Sequence, residues 1–122
     1  MSSQELPSRA QVHEKIRDKI RKNDHILWPT VSEKIQEVKA AKRVAALKNP
    51  EVEHRTVFHL DLVRALLGGA VVDVGPATQP QPGWVATVRG LDCSGYPLVV
   101  FVHVCIEEAE PLQITDFCIA KE

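Results

Sequence analysis

The chain has 122 residues, 44% of them hydrophobic and 25% charged, with a net charge of −1. That composition supports a core within one domain of ordinary size and excludes a disordered or fibrous chain. No apolar run approaches the ~20 residues that cross a bilayer, and the stretch MSSQELPSRAQ lacks the apolar centre of a signal peptide, so a cytoplasmic protein with no membrane partner is expected.

The small net charge hides a split. Residues 1–50 carry 11 Lys/Arg against 6 Asp/Glu, a balance of +5, and residues 51–122 carry 4 against 10, a balance of −6. A basic helical part (1–50) and an acidic part (51–122) can pair across a dimer, or the basic part can meet an anionic partner. Charge-rich, solvated helix faces are the plainer account of the split.

Pro7-Ser8 opens the first predicted helix, with Ser8 and Gln11 at capping-box spacing, and Asn23-Asp24 closes it. Val12, Ile16 and Ile20 form a narrow apolar stripe, and the remainder, His13, Lys15, Arg17 and Lys19 among them, is polar. His25–Pro29 reads as an apolar connector. Thr30 and Glu33 repeat the capping-box spacing ahead of a helix predicted to run to about Lys48, with Val31, Ile35, Val38, Val44 and Leu47 apolar and Asn49-Pro50 as its stop. A third helix, roughly Val57–Leu67, is expected to bury Leu62 and Leu66, with Phe58 and Val63 as further candidates, and Gly68-Gly69 to supply a left-handed C-terminal cap.

From Ala70 the period changes. Strands are predicted over Ala70–Val74, Trp84–Leu91, Pro97–Ile106 and Leu112–Ala120, separated by the proline-stiffened loop Gly75–Gly83 and by turns at Asp92–Gly95 and Glu107–Pro111. The third strand is apolar on both faces apart from His103, which makes it central. The fold class is therefore α+β: about three N-terminal helices packed on a C-terminal antiparallel sheet of three to four strands, in a single domain. Cys93, Cys105 and Cys118 have no metal-ligand spacing and read as reduced structural thiols, a hairpin near Ala109 setting Cys105 opposite Gln113 or Ile114 rather than Cys118. His13 and His25 show no ligand spacing either, so no metal and no cofactor is expected.

The segment RTVFHLDLVRALLGG, residues 55–69, followed by a strand ending at Gly90, by Gly95-Tyr96-Pro97-Leu98-Val99-Val100 and by Ile114-Thr115, resembles a family of small domains of unknown function allied to BrnT-like and RelE-like toxins. The resemblance spans about residues 55–122. It implies a toxin-like scaffold and, in relatives that cleave RNA, a metal-independent endoribonuclease with a base at the ribose hydroxyl, an acid at the leaving oxygen and cations on the phosphate. The family's usual His-Ala pair is replaced here by Leu47-Lys48, and Phe58 stands where a small hydroxyl residue would cap the helix.

Candidates for that chemistry are His103, Arg89 and Asp116 as a catalytic set, with Arg55, Arg64 and His59 toward the substrate. By hairpin arithmetic His103 faces Thr115 or Asp116, a pair that would tune a histidine for proton transfer. A structurally hydrogen-bonded histidine is the plainer reading. Arg89 shares its face only in one of two registers, Arg55 reads more plainly as tying its helix to the sheet through Asp61 or a backbone carbonyl, and Trp28 and Trp84 read as core rather than base-stacking residues. The incomplete catalytic set and the acidity of the sheet half favour a non-catalytic interaction or oligomerisation module, a homodimer or the partner of another protein such as an antitoxin. The alternative is the toxin-type ribonuclease, with RNA as partner.

Overall fold

A computed structural model describes residues 7–22, 26–28, 31–48, 57–77, 82–105 and 110–119, leaving aside the side chains of 42–46 and 48. Helices α1 (Arg9–Arg21), α2 (Val31–Lys48) and α3 (His59–Gly68) precede strands β1 (Ala70–Ala77), β2 (Gly83–Leu91), β3 (Pro97–Cys105) and β4 (Gln113–Ile119). The strands form one antiparallel sheet in the order β1-β2-β3-β4, with the N-terminal helices on one face, so the fold is α+β. No helix among the described residues is long and apolar enough to cross a membrane.

Local sequence chemistry accounts for the helix starts. Ser8 Oγ accepts from the Gln11 N–H at 3.1 Å while Gln11 Oε1 accepts from the Ser8 N–H at 2.9 Å, the reciprocal capping box expected for α1. Helix α3 has no side-chain cap from Phe58. Its third residue compensates: Asp61 Oδ2 accepts the Phe58 N–H at 2.8 Å, and Oδ1 accepts the Cys93 N–H at 3.0 Å, tying the start of α3 to the β2–β3 turn. The Thr30 cap, the Asn49-Pro50 stop and Arg55 lie outside the described residues.

The core lies between helices and sheet. Val12 and Ile16 of α1, Val31 and Ile35 of α2, and Leu62, Ala65 and Leu66 of α3 pack on Ala86 and Val88 of β2, Leu98, Val100 and Val102 of β3, and Ile114 and Phe117 of β4. Each fully buried Leu or Val contributes roughly 1.5–3 kcal/mol through removal of apolar surface from water. Both predicted tryptophans pack partly buried against this core. Strand β3 is central, as its two-faced apolar pattern requires.

Several expectations need correction. Gly69 adopts φ −86°, ψ −159°, extended rather than left-handed, and Gly95 in the β2–β3 turn is the glycine that takes positive φ, at 87°. The glycines at the α3–β1 junction and the end of β2 serve close approach instead. A Cβ on Gly69 would sit 2.5 Å from the Ala65 and Arg89 carbonyl oxygens, and one on Gly90 would sit 2.4 Å from the Ala65 carbonyl oxygen. Here backbone touches backbone and no side chain fits.

Strand β1 extends through Gly75 and Pro76, residues the sequence placed in a loop; Pro76 is tolerated because β1 is an edge strand whose outer side needs no donor. Phe58, a candidate for the core, is 51% exposed with the Lys39 ammonium 5.9 Å from its ring centroid, and Leu47 is 85% exposed. His13 and Lys19, read as part of a polar helix face, are buried. The His13 Nε2 lies 2.8 Å from the Leu66 carbonyl oxygen, consistent with N–H donation, and Lys19 Nζ donates to the Glu110 carbonyl. Their side chains are long enough to carry polar atoms to backbone acceptors that the packing leaves open.

Candidate functional site

Register decides which chemical side chains meet. Strand β3 pairs with β2 so that Arg89 lies opposite Val99 and His103 opposite Val85. On β4, Asp116 lies opposite Phe101 and Gln113 opposite His103, with a bulge between Phe101 and Val102. Directly paired residues share a face, so Arg89, His103 and Asp116 all belong to the face turned away from the helices. The expectation that His103 faces Thr115 or Asp116 is corrected: its β4 partner is Gln113, two residues before Thr115, the register shifting between Phe101 and Val102. Cys105 likewise does not pair with Gln113 or Ile114, which lie opposite His103 and Val102, and Cys118 pairs with Val99. All three cysteines are free thiols.

A shared face is not a shared site. Arg89 lies four strand positions from the His103 row, about 13 Å at 3.3 Å per residue. His103 is 2% exposed, with the Cys105 Sγ 3.6 Å from its Nδ1. Burial, reinforced by the nearby Glu110 charge and opposed by Lys19, pushes the Cys105 thiol up from its ordinary pKa.

Asp116 is engaged by α2. Lys34 Nζ donates to Asp116 Oδ1 at 2.6 Å and to the Phe117 carbonyl, and the same Oδ1 accepts the Phe117 N–H at 2.8 Å. The Lys34 hydrogen bond holds the Asp116 carboxyl below its ordinary pKa, with the Phe117 N–H contributing and partial burial opposing. Together the two side chains occupy a backbone N–H and C=O of edge strand β4. At the start of that edge, Leu27 adds an isolated parallel bridge opposite Gln113: its N–H donates to the Leu112 carbonyl and its carbonyl accepts from Ile114, both at 2.9 Å. An edge strand left open is a template for unwanted pairing, and this one is closed over Leu112–Phe117.

Arg64 and His59, both exposed on α3 as expected, belong to different surroundings. The His59 Nε2 lies 3.0 Å from Ser32 Oγ, and its ring stands edge-on to Trp28 at a 4.6 Å centroid distance. Arg64 and Arg89 are both among the residues lining a groove of about 940 Å³ between the outer side of α3 and the ends of β1, β2 and β3. Leu60, Val63 and Leu67 of α3, Gly68–Ala70, Arg89–Leu91 and Pro97 line it. The sequence placed Arg89 in the catalytic set and Arg64 toward the substrate, and the apolar residues around them drew no functional reading. The available signal was Leu60, Val63 and Leu67, which with Arg64 repeat at i, i+3, i+4, i+7 beside the buried Leu62–Leu66 pair, giving α3 two apolar faces where one suffices for packing.

Among the described residues no group of three or more His, Cys, Asp and Glu side chains is arranged to hold a metal ion. Fold and groove together describe a two-layer α+β unit with an apolar channel at one end of its sheet. No family model, no curated protein and no solved structure matches the chain.

Proposed function

We propose that this protein is a non-catalytic interaction module, built on a toxin-like scaffold, that docks another protein through the groove beside α3. The observation that carries this reading is the groove itself: Leu60 is 68% exposed and Leu91 55% exposed within one continuous concave surface. Scattered exposed leucines are ordinary, but a contiguous apolar concavity marks a surface that is covered in use.

A photo-reactive amino acid at position 60 of the full-length protein tests it in the native cell. A discrete protein adduct from position 60, absent from a control at Glu37 on the exposed side of α2, is the expected result. Equal labelling from both positions would sink the reading.

The ribonuclease alternative is supported by the common face of Arg89, His103 and Asp116, with Arg55, Arg64 and His59 as substrate contacts. It predicts RNA cleavage in chelator-treated buffer that His103→Ala abolishes without loss of fold. Self-association is the other form of the module. The half-buried Val99 and Phe101 beside the 40%-exposed Val85 favour the outer sheet face as its surface, and sedimentation at micromolar concentration would show a dimer.

A further inference from the structure

We draw no further inference here: the strongest candidate, the outer face of the sheet around Val85, Val99 and Phe101, has its opposite charges Asp73 and Arg89 diagonally placed on neighbouring strands of one copy, and nothing in the structure shows what covers it.

Discussion

The two ends of the sheet treat their exposed chemistry in opposite ways. Along β4, the open backbone edge is filled: Leu27 bridges its start, and Lys34 with Asp116 occupies the N–H and C=O of Phe117. At the end where β1 begins and β2 finishes, Leu60 and Leu91 stand exposed and Arg64 and Arg89 make no ion pair among the described residues. Polar residues that look functional by type are at the first end structural closures, while the surface with interaction capacity left over is at the second. Unsatisfied capacity, rather than residue type, is the better guide to where a partner binds.

Substitutions can break that contrast, and the largest effect belongs to the core shared by both ends. Leu66→Ala should cost about 2–5 kcal/mol, the sum of lost burial and an unfilled cavity, measured by urea unfolding. In the groove lining, Gly90→Ala forces a Cβ against the Ala65 carbonyl. It should cost about 1–3 kcal/mol through overpacking, and larger side chains more.

At the sealed edge, Leu27→Pro removes the N–H given to the Leu112 carbonyl and should cost about 1–3 kcal/mol for the acceptor left without its donor. Self-association that rises with concentration in this variant, seen by light scattering, would show that the bridge blocks pairing. Its absence would mean that edge closure is not what keeps β4 from pairing.

By contrast, Leu60→Ser and Arg89→Gln in the groove should change stability by no more than about 0.5 kcal/mol, as surface changes do when nothing folded depends on them. A loss of several kcal/mol at either position would make the groove part of the fold and count against the proposed docking surface.

A separate effect concerns pH. Because Lys34 holds the folded Asp116 carboxyl below the ordinary value of 3.8, the unfolded chain takes up its proton first on acidification. This contribution to stability is therefore present above about pH 3.8 and is lost as the pH falls through the lower folded value. The pair is solvent-exposed, so the loss is at most about 1 kcal/mol. Asp116→Asn should flatten that part of the stability–pH curve, and an unchanged acid limb would separate Asp116 from the edge closure.

The start of α1, the turn at Asp92–Gly95 and the central place of β3 were legible because each rests on residues within a few positions of one another. A serine caps its own helix, and a glycine with positive φ serves its own turn. Fold class followed from the order of periodicities.

What only the tertiary structure decided was the partner of every long-range polar group. The register, shifted at one bulge between Phe101 and Val102, set His103 opposite Gln113. The length of Lys34 carried its ammonium from α2 to Asp116 on the edge of β4, and the approach of α3 to Gly90 left a groove lined by Leu60 and Leu91. Local hydrogen bonds and hydrophobic period depend on sequence neighbours, whereas register, edge closure and concavity depend on how separate elements come to rest against each other. The first kind of information fixed the scaffold here, and the second kind located its candidate site.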